Sequence, residues 1–379
     1  MTSMNSRTIE LELPATTTPS KSAARLGIAR AFAVSTLMAV ATATPAVTVE
    51  IVATGLDSPR GIAIGPAGRI LVIEAGSGGT TPTMTGHVTE LFKGKVRRLL
   101  TLPSVFVSND EISGPTSIAV PTGLGEMFVT MGAGPNPPFG GLLRANPALT
   151  SFIADIELHE WTHNPDEVFP PDSNPYGVAV VGDGSKLVAD AGANTLLQVD
   201  RDGTVHTVAV FPTAPNPLFA PPPLGVSIGG PTVQAVPTSI AIGPDGAWYV
   251  GELRGFPFVV PSHIWRVEPG SRDVHCVIGA TAGACIDWAG GLRHVVSIAF
   301  GPDGDLYVSQ FGPGPGPPFL PGWATPGAVV RVDAGTKAIA PVYSALSAPG
   351  GITVDDDGTI FVTNNSTSIG TGQIIRIKP

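Results

Sequence analysis

Charge, aromatic side chains and cysteine are all scarce in this chain of 379 residues: charged residues make up 13%, aromatics 6%, and there are two cysteines. Two thiols do not make a structural metal site by themselves. Cys276 and Cys285, nine apart, also lack the Cys-x-x-Cys spacing of a redox pair. No serine or cysteine sits in a nucleophile-elbow context, and no phosphate-binding glycine loop follows a strand and opens a helix. His87, His206, His263, His275 and His294 form no sequence cluster. Acidic residues outnumber basic ones 30 to 21. Such a surface repels phosphate backbones, which argues against nucleic acid and anionic membranes as partners.

Glycine (47) and proline (39), by contrast, fill nearly a quarter of the chain, with strand-like runs between their clusters. An all-β protein with many tight turns has this composition. One apolar run differs in kind. Lys21, Arg25 and Arg30 precede Ala31 to Ala43, which ends in Ala41-Thr-Ala43. A basic region, a short apolar core too short for a bilayer span and an Ala-x-Ala site read as a secretory signal peptide over residues 1–43. Its removal leaves residues 44–379 with 17 basic and 28 acidic residues, a net charge of −11. A secreted or periplasmic location follows, with no membrane insertion after cleavage. In that oxidising setting Cys276 and Cys285 are expected to form a disulfide closing a short loop.

One short pattern occurs six times, around Ile62, Ile118, Val178, Ile240, Ile298 and Ile352, at spacings of 56, 60, 62, 58 and 54. Twelve residues after each, without a gap, come Glu74, Thr130, Asp190, Glu252, Gln310 and Asn364. A fixed inner offset inside a variable period means that each repeat holds a rigid two-strand hairpin, with insertions elsewhere. In the fifth repeat Gly301-Pro-Asp-Gly304 makes the turn, proline presetting the negative φ and glycine supplying the positive one. The reading is a six-bladed β-propeller of four-stranded antiparallel blades. The last repeat stops one strand early, after Gly372-Gln-Ile-Ile-Arg-Ile377. Val47 to Ala53 alternates as an outer strand does and is expected to complete that blade and close the ring.

In such a ring the six landmark residues lie near the face where the channel-lining strands begin, here the top. Glu74, Asp190, Glu252, Gln310 and Asn364, with Thr130, are candidates to converge on a polyhydroxyl ligand or a cation, Ca²⁺ being the fitting ion. The opposing reading is that each caps the turn leaving its strand. Aromatic residues on proline-stiffened loops are the second candidate set: Phe139, Phe219, Phe258, Phe319 and Trp323, all expected on the top face. His159-Glu-Trp-Thr-His163 matches the zinc-protease signature, but Asn164-Pro165 ends any helix at once, so a short helical turn with solvent-facing histidines is expected. Asp355-Asp-Asp-Gly358 aligns with the hairpin turns and lacks the other ligands of a calcium loop.

Several stretches resemble the ScyD/ScyE family: Asn164-Pro-Asp166, Asp172-Ser-Asn-Pro-Tyr-Gly177, Ala189 through Gly203, Gln234-Ala-Val-Pro-Thr-Ser239 and Gly251 through Phe258. Gly55 through Gly61 and Glu74 through Gly79 fit it too, so the resemblance covers nearly the whole mature chain. It implies an exported β-propeller. The family takes its name from cyanobacterial gene clusters for scytonemin, an indole–phenol pigment, and brings no established catalytic set. Three functions are then in view. The first is a binding or scaffold module that recognises an aromatic or sugar ligand, or a protein, at the top face, without cofactor or catalysis. The second is a divalent-cation-dependent lactonase-like hydrolase at the channel mouth. Against it, Ser58-Pro-Arg60 stands where such enzymes are expected to carry a glutamate. The third, oxidative coupling of indole and phenol units, rests on the family name alone.

Overall fold

The computed structural model describes residues 47–108, 111–121, 123–219, 227–313 and 326–379. Residues 1–43, where a signal peptide is expected, lie outside them. Twenty-eight strands and one α-helix are present among the described residues. Six antiparallel sheets form the blades, and each innermost strand neighbours the next, the last returning to the first.

Blade I holds Pro59–Gly65, Arg69–Glu74, Thr83–Phe92 and Lys95–Ser108. The inner strands of blades II to VI are Pro115–Ala119, Pro175–Val180, Pro237–Ile242, Val295–Phe300 and Ile352–Val354. The constant twelve-residue offset has a direct cause in the register. Each inner strand pairs antiparallel with its successor across a tight turn, and Pro59, Pro175, Pro237 and Val295 face Glu74, Asp190, Glu252 and Gln310. The turn glycines Gly184, Gly246, Gly304 and Gly358 all have φ between 79° and 86°, as their position requires.

The N-terminal strand Thr48–Leu56 pairs along its length with Gly372–Lys378 as the outermost strand of blade VI. The two chain ends therefore close the ring within one sheet. Two blades exceed the expected four strands. Blade I gains Glu111–Ser113, because its outer strand runs on past the sheet and folds back. Blade III gains Val274–His275, which pairs in parallel with Val205–Val210. That short strand belongs to the blade IV insertion, which the Cys276–Cys285 disulfide closes. Its backbone covers an edge that would otherwise present free hydrogen-bonding groups.

Burial follows the blades. Six apolar clusters occur among the described residues, and each straddles one junction between neighbours. Val129 and Leu71 join blades II and I, for example, while Ile374 and Ile70 join VI and I. The core is thus a ring of separate interfaces, and the axis is left open as a channel.

Between blades II and III lies the helix Ile156–His163, longer than the single turn expected. The Asp155 carboxylate accepts from the Leu158 amide at its start, and Asn164 ends it in the left-handed conformation. His163 is exposed, but His159 is half-buried against the Thr207 hydroxyl at 2.9 Å, and the two imidazole rings stack 4.4 Å apart. Glu160 is 2% exposed with Oε1 unpartnered. Burial, with Asp166, Asp190 and Asp172 nearby, pushes its carboxyl up to about 8.

Two outcomes follow from this architecture. Deleting residues 44–54 removes most of the closing strand and is expected to lower the melting temperature by more than about 10 °C; a calorimetric melt unchanged from the intact protein would contradict the closure. The second concerns pH. Folded Glu160 keeps its proton up to about pH 8, whereas the unfolded chain releases it near 4.5, so the folded state loses stability as pH climbs through that interval. Glu160→Gln is therefore expected to raise the melting temperature at pH 8.5 by about a few degrees, with little change at pH 5. Equal loss at both pH values would show that the buried carboxylate is a needed charge.

Candidate functional site

The landmark residues sit at the top ends of the second strands, as their offset implies, but they do not converge. Glu74, Thr130, Asp190 and Glu252 are 0% exposed, and Gln310 and Asn364 are buried as well. Except for Gln310, each side chain is bonded within its own blade or to the next loop. Glu74 accepts from the Asp57 amide at 2.7 Å, from Arg98 Nε and Nη2 at 3.1 and 2.8 Å, and from the Thr89 hydroxyl. Burial raises its pKa, but these donors prevail and hold the carboxyl below the ordinary value. Asp190 accepts from Ser173 Oγ, the Asn174 amide and the amides of Gly192 and Ala193. Here burial prevails over its hydrogen bonds and pushes the carboxyl up to about 6.

Glu252 lies 2.8 Å from Arg254 Nε, both side chains fully buried, and accepts from the Trp265 indole and the His263 amide. Burial pushes it up to about 7 against the pull of those groups. Thr130 donates to the Tyr176 carbonyl, while Asn364 caps the Ser347 amide. Of the two readings of this ring, the bonds favour the second for Glu74, Thr130, Asp190, Glu252 and Asn364: they are turn caps and blade staples and not a convergent ligand site. A divalent cation does not fit them, since Arg98 already neutralises Glu74. Among the described residues no three His, Cys, Asp or Glu side chains are gathered as metal ligands.

The aromatic loops also divide. Phe139 is 2% exposed and packed in the blade I–II cluster with Ile73 and Met131, so it is a core residue and not a ligand contact. Phe219 is half-buried on the loop after blade III. Phe319 and Trp323 lie outside the described residues. Of the three that are described, Phe258 alone lines the channel mouth.

That mouth is a cavity of about 360 Å³, walled by Arg60, Tyr176, Asn174, Thr238, Phe258 and Phe311 among others. Arg60, Tyr176 and Thr238 also border the lumen below it, a second cavity of about 440 Å³ along the inner strands. They form the floor between the two. The Arg60 guanidinium lies 5.8 Å from the centre of the Tyr176 ring and donates to the Ile112 carbonyl. Its backbone is fixed at the seam of the ring, where the Arg60 carbonyl accepts from the Gly351 amide and the Thr363 hydroxyl of blade VI. Asn174 is held by its own amide on Asp190 and by the Ala133 amide on Oδ1. Phe258 is braced edge-on by His294, whose Nε2 lies 2.9 Å from the Phe258 carbonyl.

Sequence reasoning passed over Arg60 and Tyr176 as binding residues, although a signal existed. They occupy one column of the repeat, two residues before the aligned Ile or Val. That column reads Arg60, Thr116, Tyr176, Thr238, Val296 and Gly350, while the columns beside it repeat small and apolar residues. Scaffold columns repeat, and a column that varies among copies is free to serve a ligand. The fold also gathers His159, His163, His206 and His275 around a separate cavity of about 370 Å³ beside Arg272 and Asp273. These histidines come from three segments far apart in sequence, which is why no cluster was visible there.

No family model matches the chain, and no curated protein matches it. Solved structures do resemble it. The PQQ-bound aldose sugar dehydrogenase of Streptomyces coelicolor aligns at a TM-score of 0.55 and 13% identity, over 88% of this chain and 98% of that one. An oxidoreductase of Thermus thermophilus described as a glucose dehydrogenase aligns at 0.54 and 16%, over 88% and 100%. Regucalcin of Agrobacterium tumefaciens, a calcium-binding protein, aligns at 0.52 and 16%, over 86% and 94%. At these identities the likeness is one of fold, and the fold is the one described above: the chain is a six-bladed β-propeller.

Proposed function

We propose that this is an exported propeller of the ScyD/ScyE type that binds a small molecule in the mouth of its central channel. The observation that carries this reading is the division of labour at the top face. The ring carboxylates are consumed by caps and buried pairs, whereas the mouth offers an open cavity with a cation, an amide and aromatic walls. Cavities of this volume with a few convergent polar groups are the usual form of small-ligand sites. The basic, apolar and Ala-x-Ala segments of residues 1–43 support export, to a periplasm or beyond the cell. The Cys276–Cys285 disulfide agrees with an oxidising compartment.

A lactonase-like mechanism gains no support from these residues, because the carboxylates it would need to hold a cation are the ones tied up in the blades.

The test uses residues 44–379 purified without chelator. Calcium is expected to shift the melt by less than about 1 °C, since no donor set awaits it. A fragment set of aromatic compounds and monosaccharides is expected to yield ligands whose stabilisation is lost in Tyr176→Ala and retained in Phe219→Ala. One bound calcium per chain with a shift of several degrees would overturn the reading in favour of a cation site.

A further inference from the structure

We infer that the channel mouth takes a small aromatic carboxylate, its carboxylate on Arg60 and its ring against Tyr176, Phe258 and Phe311. The inference rests on the mouth being the small-molecule site and adds the class of ligand.

The argument starts from a missing counter-ion. Arg69, Arg97, Arg98, Arg144, Arg254, Arg266, Arg331 and Arg376 each lie within ion-pair distance of a carboxylate. Among the described residues Arg60 shows no such pair, and unlike Arg201 and Arg272, which show none either, it is half-buried instead of exposed. Its half-buried guanidinium has one carbonyl and the ring of Tyr176. Withdrawing a cation from water without an anion is costly, and a ligand that supplies the anion recovers that cost. A guanidinium carries five N–H donors. One bond to Ile112 leaves enough of them for a carboxylate to be held bidentately.

Charge limits the ligand to one negative charge at most. Among the described residues Arg60 is the single cationic side chain on the wall of the mouth, and Glu111, exposed on the same wall, opposes any second negative charge. A phosphate dianion calls for more donors than one arginine provides. The rest of the wall fixes the body of the ligand. Phe258 and Phe311 are half-buried and line the cavity with Val236, Leu253 and Val296. Phe258 is already fixed by His294, so little side-chain freedom is lost on contact. A volume of about 360 Å³ is small for a ligand site and suits one ring or two fused rings.

The experiment compares matched pairs on the intact mature protein by calorimetry: 2-naphthoate against 2-naphthamide, and 4-hydroxyphenylacetate against its amide. The acids are expected to bind at least about tenfold more tightly than the amides, the scale of a charge-assisted hydrogen bond, and to weaken as salt rises. Arg60→Gln is expected to erase the preference while leaving the amide affinity within about twofold, and Arg60→Lys to restore part of it. The acid–amide comparison needs no variant, so a poorly folding Arg60→Gln would not spare the inference. Equal affinities, or tighter amides, overturn the carboxylate and leave the mouth standing as a neutral-ligand site. If these pairs fail while sugars bind, the aromatic class falls. If nothing binds at the mouth, the underlying reading falls with it.

Discussion

The structure depends on how closely six inner strands can approach one axis. A Cβ built on Gly61 would stand 2.6 Å from Ser117 Cα, one on Gly177 3.0 Å from Ser239 Cα, and one on Gly351 3.0 Å from Gly61 Cα. Those atoms are backbone and cannot swing aside. The residue before each aligned Ile or Val is therefore Gly61, Ser117, Gly177, Ser239, Ser297 or Gly351, and never anything larger. The short motif that recurs along the chain is the imprint of this crowding. Once the inner strands lie this close, hydroxyl groups span them: Thr116 donates to the Pro175 carbonyl, Thr238 to Val295 and Thr363 to Arg60. Small residues bring the blades together and threonines then pin them.

Much of the architecture was legible because it follows from local rules with a fixed count. The constant offset from Ile62 to Glu74 and its counterparts reflects hairpin register, and the absent last strand pointed to Val47 to Ala53, most of which lies in the observed strand Thr48–Leu56, by simple arithmetic of strands per blade. The polar landmarks were harder. Their position follows from register, but the direction of their side chains depends on neighbours that the repeat does not carry. Glu74 turns toward Arg98 and Asp57, while Glu252 turns toward Arg254 and Trp265. Phe139 misled for the same reason, since a proline-rich loop says that an aromatic is held stiffly and not which way it faces. The added strand Val274–His275 was invisible because its partner belongs to another blade.

Several of the stretches singled out in the sequence acquire a physical meaning in this light. Asn194 Nδ2 donates to Asp166 and to Gln234, and its Oδ1 accepts from the Val236 amide. Ser173 and Asn174 bond to Asp190, and Arg254 reaches the Pro212 carbonyl. Residues from five separate stretches thus meet where blades III and IV join. Several are buried polar groups whose loss would leave a partner unsatisfied at a cost of about 1–3 kcal/mol each. Such stretches mark a way of joining blades, which ties them to the scaffold and not to a ligand.

That distinction bears on where specificity can reside. The apolar core is split into junctions between blades, and the inner strands contribute to it chiefly through the aligned Ile or Val, as Ile62, Val178 and Ile298 do. The constraint at the axis falls on the small residue before each aligned Ile or Val. The residue one step earlier, at the strand's top end, is half-buried at Arg60 and Tyr176 and buried in the other four copies. In this chain that position supplies Arg60 from blade I, Tyr176 from blade III and Thr238 from blade IV, all on one cavity. A change at Arg60 or Tyr176 alters the charge and shape of the mouth, whereas Thr238 also pins blade IV to blade V through the Val295 carbonyl. The ring that looked most functional in sequence is therefore the part least free to change, and the column that looked irregular is where a six-bladed scaffold can acquire a new ligand.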